Sequence, residues 1–185
     1  MANAESTRNR LYFAEKRLIE LKKLNNGDIA GANGKERQQL IQEFFFHLVG
    51  SIDFLFQVVN QSRHLDIPEE AVSSTTVCSS LSTDDPIKPI LIQIHPTTRN
   101  RRLQGDPYSD ENSYFRILIL RHRVCHHGDN PFHFRAGGSL PCASLFIDPR
   151  DSSQGGSNKH VFDELDKFLM LIKDKSKQVL DILGI

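Results

Sequence analysis

The most apolar stretch of this chain is LIQEFFFHLVGSIDFLFQVV, at residues 40–59. Its large apolar residues recur at three- and four-residue spacing, which is the pattern of an amphipathic α-helix. A second face, formed by Phe46, Phe54 and Val58, is apolar as well. Because a helix with two apolar faces must contact several neighbours, we predict that a long helix at about 35–62 forms the centre of a helical bundle.

Other segments carry helical signatures of their own. One of them begins at Ser109 or Asp110, both acceptable N-caps, and stops before Gly128, which favours a helix end. Another opens at Pro68, a residue suited to the first helical turn. The predicted helices span about 4–24, 35–62, 67–81, 110–127 and 157–183.

Two short apolar runs in the long connections, 90–94 and 143–147, have the composition of strands. We therefore predict an all-α fold. Its form is a four- to five-helix up-and-down bundle with a small two-stranded β element, in one domain that spans residues 1–185.

Composition limits the class of protein. The chain has 185 residues, of which 38% are hydrophobic and 25% charged, as in ordinary globular domains. The N-terminus has no apolar secretory segment, and polar residues interrupt the apolar stretch, so we expect no membrane association. The 3 cysteines are widely separated. This spacing favours free thiols and a cytoplasmic location.

Cationic and titratable side chains are concentrated at the end of the helix predicted at 110–127. The sequence there is RHRVCHHG, residues 121–128, directly behind an apolar run. Imidazole exchanges protons near neutral pH, and the guanidinium fork of arginine matches a phosphate. From Arg99 to Arg135 the chain has 7 arginines and no lysine, although its net charge is zero. These arginines form either a phosphate-binding surface or a set of solvated loop residues.

Helical geometry constrains what this cluster does. Cations are favoured at a helix C-terminus, where the carbonyl dipoles converge. His122 and His126 are four residues apart and share a face, whereas Arg121 lies about 100° round from His122. The three side chains therefore converge only if the helix end distorts or a second copy of the chain completes the site.

The segment Arg121-His122-Arg123-Val124-Cys125-His126 resembles the signature of the HEPN superfamily (higher eukaryotes and prokaryotes nucleotide-binding domains). That signature is an arginine followed by a polar residue and, four to six positions after the arginine, a histidine. The setting is similar too, because the motif ends the penultimate predicted helix and a long helix follows. The spacing from Arg121 to His127 fits the signature as well.

The resemblance implies a metal-independent ribonuclease that needs no cofactor, in which the ribose 2′-OH attacks the neighbouring phosphate. His126 is then the general acid/base, Arg121 binds the scissile phosphate, and His122 orients the phosphate or His126. Members of the family typically form homodimers, and many are toxins or anti-phage effectors that a partner protein restrains. Further RNA contacts are expected from the nearby cationic side chains Arg123, His127 and Arg116.

Two alternatives remain open at the level of sequence. His122 and His126 have the spacing of a two-histidine metal platform, and the third ligand would be His127, His133 or Asp129. The neighbouring arginines repel a divalent cation and so disfavour that reading. The other alternative is a non-catalytic helical module for interaction or nucleotide binding.

Other polar residues on the predicted helices fit ordinary structural roles. Glu43, His47 and Ser51 follow at four-residue spacing on the central helix and either face the motif or form ordinary hydrogen bonds. Cys125 lies beside arginines, which favour the thiolate. Because no partner for thiol catalysis is evident, we expect Cys125 to be a small packed residue.

Overall fold

The computed structural model describes residues 4–25, 34–94, 108–110, 112–127, 132–135, 142–145 and 161–185. Of these, residues 25, 34, 126–127 and both strands are described by their backbone alone. The fold is all-α. In the described ranges the helices are α1 (Ala4–Asn25), α2 (Gly34–Ser62), α3 (Ser74–Ser80), α4 (Lys88–Ile94), α5 (Ser113–His122) and α6 (Val161–Leu183).

Helix α2 is the centre of the bundle, as predicted. It contacts α1 along its length and also packs against α3, α5 and α6. Phe44, Phe45, Leu48 and Leu55 of α2 are completely buried. Each such side chain contributes roughly 1.5–3 kcal/mol through burial, so α2 organises the core.

Helices α1 and α6 flank α2 and run antiparallel to each other. The buried stripe of α1 includes Ala14, Leu18 and Leu21, and that of α6 includes Phe168 and Ile172. These stripes belong to one continuous hydrophobic core. At the surface, two ion pairs join the helices, Lys22 Nζ to Asp166 Oδ2 at 2.6 Å and Lys173 Nζ to Glu15 Oε1 at 2.8 Å.

The strand predicted at 90–94 is wrong, because this segment forms α4. Ile87, Leu91 and Ile94 are all buried, which is the four- and three-residue spacing of a helix rather than the alternation of a strand. Pro89 lies in the first turn, where its missing N–H costs nothing. The Asp85 carboxylate accepts a hydrogen bond from the backbone N–H of Ile87 at 2.9 Å, just ahead of the helix.

The helix predicted at 67–81 is divided in two. Glu69–Ala71 forms one 3-10 turn, and α3 begins after it. Ser73 caps α3, since its hydroxyl accepts a hydrogen bond from the Thr76 N–H while the Thr76 hydroxyl accepts one from the Ser73 N–H. The reciprocal cap fixes the helix start at Ser74, seven residues beyond the predicted one.

A small antiparallel β element does form, in the connection between α5 and α6. Strand β1 (Phe132–Arg135) pairs with β2 (Cys142–Leu145), and β2 contacts α6. The run predicted at 143–147 overlaps β2, although its last two residues lie outside the described ones. Residues 157–160, at the predicted start of the last helix, lie outside them too.

Arg116 and Glu164 form a buried ion pair that ties α5 to α6. The guanidinium Nη2 lies 2.7 Å from Glu164 Oε2, and the two side chains are 0% and 1% exposed. Arg116 also donates to the Ser109 carbonyl at 2.5 Å and stacks near the rings of Tyr108 and Phe168. An ion pair in such a dry site fixes the position of α5 because neither charge tolerates loss of the other.

We expect Glu164→Gln to lower the free energy of unfolding by about 3 kcal/mol, because it leaves the Arg116 charge buried without its counter-ion. Urea unfolding followed by circular dichroism measures the effect. Asp163→Asn is the matched control, since Asp163 is an exposed acid in the same first turn of α6. Equal losses for the two variants would contradict a structural role for the pair.

Candidate functional site

The core-facing side of α5 sets the orientation of the motif. Ile117, Leu120 and Val124 are all completely buried and stand three and four residues apart. Residues 121–123, which lie between Leu120 and Val124, are consequently directed away from the core. Arg121 is half-buried and His122 is exposed.

The end of α5 widens into a π-helical turn, Arg123–His127. Arg121 and His126 are five residues apart, a separation of about 140° round a regular α-helix. A π turn hydrogen-bonds residues five apart and so brings such backbone positions nearer to one side. The helix end is therefore distorted after Arg121, and His126, whose backbone alone is described, lies within the distorted turn. Turns of this kind are frequent at functional sites.

Gln42 of α2 braces this turn. Its side-chain Nε2 donates a hydrogen bond to the Val124 carbonyl at 2.9 Å. The backbone carbonyl of Gln42 in turn accepts a hydrogen bond from Cys125 Sγ at 3.7 Å. Carbonyl groups near a helix end need partners outside the helix, so Gln42 stabilises the widened turn. Burial raises the pKa of Cys125, and Arg121 opposes this only in part. Cys125 is thus a packed thiol, as expected.

Arg121 lies beside Asp53 of α2. Burial raises the pKa of Asp53, and the nearby charges of Arg121 and Arg10 act against that rise. Within the described part of the chain, the buried Nε of Arg121 has no hydrogen-bond partner. Because that nitrogen is itself shielded from solvent, it is the half-buried guanidinium charge of Arg121 that suits an anionic ligand.

The other predicted site residues are placed as follows. Arg123 is half-buried, and His126 and His127 belong to the π turn. Arg116 is fully buried against Glu164, so its expected role as an RNA contact is incompatible with its position. Sequence patterning missed this because an arginine on an amphipathic helix ordinarily faces solvent.

The metal alternative rests mainly on residues beyond the described side chains. Among the described residues, no group of three or more His, Cys, Asp or Glu side chains is arranged to hold a metal ion. The proposed third ligands do not enter that comparison. Asp129 lies outside the described residues, while His127 and His133 are described by backbone only.

The polar stripe of α2 faces α1 rather than the motif. The carboxylate of Glu43 pairs with Arg17 Nε at 2.5 Å, and the Ser51 hydroxyl donates to the Leu48 carbonyl at 2.6 Å. His47 Nδ1 lies 3.2 Å from Arg10 Nη1.

Sequence reasoning did not single out Arg10 or its neighbour Phe13. The spacing of Ser6, Arg10 and Phe13 on one side of α1 was the available signal. This spacing indicates a possible site only when α1 is known to lie against His47 of α2.

Comparisons with protein-family models, with curated proteins and with solved structures found no match. None of the described helices is long and apolar enough to cross a membrane. The residues and their geometry are therefore the basis of the functional interpretation.

We expect Gln42→Ala to loosen the π turn, because the Val124 carbonyl loses its partner. The loss in unfolding free energy should be about 1 kcal/mol, with faster amide hydrogen exchange at 123–127 than in the wild type. Gln39→Ala is the control, since Gln39 is exposed on the same helix and bonds only within it, to Glu43. Unchanged exchange at the turn in Gln42→Ala would show that α2 does not brace it.

We also expect His47 to make the fold sensitive to acid. Burial lowers the pKa of His47, and the charges of Arg10 and Arg17 lower it further, while Glu43 partly opposes them. The unfolded chain thus binds the proton more readily, and stability falls as the pH drops from about 7 through the lowered pKa. His47→Gln should reduce this fall in urea unfolding at about pH 7 and about pH 5.5. Identical pH dependence in the two proteins would contradict it.

Proposed function

We propose that this chain is a metal-independent endoribonuclease of the HEPN type. Arg121 binds the scissile phosphate, His126 is the general acid/base, and His122 positions the phosphate or His126. The observation that carries the proposal is the π turn at Arg123–His127, which supplies the distortion that the motif needs at the end of a helix.

Two observations support this assignment. Gln42 holds the turn through the Val124 carbonyl, so the backbone that bears His126 is fixed against a core helix. The half-buried guanidinium of Arg121 offers positive charge to an anion beside it. Preorganised donors of this kind stabilise charge that develops in a transition state.

The chemistry uses the substrate's own nucleophile. The 2′-OH attacks the adjacent phosphorus, a base removes the hydroxyl proton, and an acid protonates the departing 5′ oxygen. Arg121 balances the additional negative charge on the phosphoryl oxygens. The required 2′-OH restricts the substrate to RNA.

Two copies of the chain in a homodimer would supply two motifs, which gives the reaction both a base and an acid. This arrangement follows from the family resemblance. So does a biological role as a cytoplasmic toxin or anti-phage effector under the control of a partner protein. A non-catalytic helical module is the competing function.

The decisive experiment incubates the purified protein with RNA in the presence of EDTA. We expect cleavage by the wild type and a loss of at least about 100-fold in Arg121→Ala and His126→Ala, since general acid/base groups contribute factors of this size. His64→Asn is the control, because His64 is exposed at the opposite end of α2 and its positive φ of 49° suits asparagine.

Equal cleavage by the wild type and by both motif variants would overturn the proposal and attribute the activity to a contaminant. RNA binding without any cleavage would favour the non-catalytic module. Cleavage that EDTA abolishes would favour the metal alternative at His122 and His126.

A further inference from the structure

A cavity of about 240 Å³ lies between α1 and α2, away from the residues to which catalysis is assigned. It is lined by Ser6, Asn9, Arg10, Phe13, His47 and Phe54. Its walls therefore combine a guanidinium group, an imidazole and two phenyl rings. Most of the exposed lining is apolar, so the cavity suits an aromatic ring, and Arg10 and His47 add a charged and a hydrogen-bonding group to it.

Arg10 carries the positive charge of this cavity. Its guanidinium carbon lies 4.9 Å from the centre of the Phe46 ring and 5.5 Å from that of Phe54. Its Nη1 donates a hydrogen bond to Nδ1 of His47. Throughout the ranges that the structure describes, no carboxylate forms an ion pair with Arg10. A guanidinium held by rings and an imidazole, with the Asp53 carboxylate nearby but not paired to it, retains affinity for an anion.

His47 is poised to donate a second hydrogen bond to the same ligand. Because Arg10 is always a donor, Nδ1 of His47 accepts, and the neutral imidazole carries its proton on Nε2. Burial and the charge of Arg10 lower the pKa of His47, which favours this neutral form. The Nε2–H group is thus the remaining donor of the imidazole.

Exposed aromatic rings surround the two polar groups. The Phe13 ring stacks on His47 with ring centres 5.3 Å apart and an angle of 30°, and the Phe46 ring meets His47 edge-on at 5.4 Å. Phe13 is 41% exposed and Phe46 is 53% exposed. Exposed rings next to a cation form the stacking surface that single-stranded nucleic acids bind. A purely apolar protein partner would leave the Arg10 charge without a ligand.

The cavity is linked to the motif across the surface of α2. Asp53 experiences the charges of both Arg10, from α1, and Arg121, from α5. Arg10 also lies over Gly50 of α2, close enough for ordinary van der Waals contact. Both arginines therefore lie near enough to Asp53 to affect its pKa, which places the cavity and Arg121 on neighbouring parts of the α2 surface.

We infer that the α1–α2 cavity is a nucleotide-binding subsite for single-stranded RNA, with a phosphate on Arg10 and His47 and a base on Phe13 in its wall or on Phe46 beside it. It would hold a nucleotide that flanks the scissile phosphate at Arg121. The choice of RNA as the ligand rests on the proposed function, whereas the affinity for an aromatic anion rests on the cavity.

The test measures fluorescence anisotropy of a short 2′-O-methyl RNA, which the protein cannot cleave, at several salt concentrations. We expect Arg10→Gln to weaken binding about tenfold and to reduce the salt dependence by about one counter-ion. Phe46→Leu should weaken binding at least about fivefold through loss of stacking. Because Phe46 is largely exposed, this second variant keeps the test valid if Arg10→Gln proves unstable in thermal unfolding.

Matched controls separate the cavity from general charge and apolarity. Arg8→Gln removes an exposed arginine about 200° round α1 from Arg10, and Ile19→Ala removes exposed apolar surface on the same helix. Both controls should bind like the wild type. Equal weakening of RNA binding in Arg8→Gln and Arg10→Gln would show that net charge alone causes the effect, and it would overturn the subsite.

The outcomes distinguish the subsite from the proposed function. Cleavage that depends on Arg121, combined with wild-type binding by Arg10→Gln and Phe46→Leu, overturns the subsite alone. Binding that depends on Arg10 and Phe46, in a wild type that does not cleave RNA, supports the subsite and overturns the nuclease. Absence of both binding and cleavage overturns both, and leaves the exposed rings as a protein-docking surface.

Discussion

Burial of α2 on several sides at once is the constraint on which the rest of this structure depends. A helix with Phe44, Phe45, Leu48 and Leu55 all withdrawn from water requires neighbours on more than one face. Helix α1 covers one side, while α3, α5 and α6 pack against others. The positions of α1 and α5 relative to each other are thus set by the helix between them. Both candidate binding surfaces arise from that arrangement.

Three polar residues of α2 lie where this core helix reaches the surface of the bundle, namely Gln42, His47 and Asp53. Gln42 bonds to the π turn of α5, His47 bonds to Arg10 of α1, and Asp53 lies near arginines from both helices. Gln42 and His47 are therefore hydrogen-bonded across an interface instead of being buried alone, while Asp53 is exposed. The same residues that limit the cost of polar atoms in the bundle also position the two arginines.

Arginine has two different roles on α5, and burial distinguishes them. Arg116 is enclosed with Glu164 and anchors α5 to α6. One and a half turns later, Arg121 is half-buried and its Nε lacks a hydrogen-bond partner among the described residues. A buried arginine with its counter-ion stabilises the docking of a helix, whereas an unsatisfied one is available to a ligand. Rigid anchoring by the first arginine keeps the second in place.

The sequence by itself determined the all-α class, the long helices and the central place of α2, because apolar spacing is a local property of the chain. It also singled out Arg121, His122 and His126 as a chemical cluster. The helical spacing of Ile87, Leu91 and Ile94 was also present in the sequence, whereas only the tertiary structure decided that Arg116 is buried and that Arg10 joins His47. These outcomes depend on which helix faces which, and contacts between distant segments leave no periodic trace in either segment. The π turn belongs to the same group, since its carbonyl partner comes from Gln42, 82 positions away.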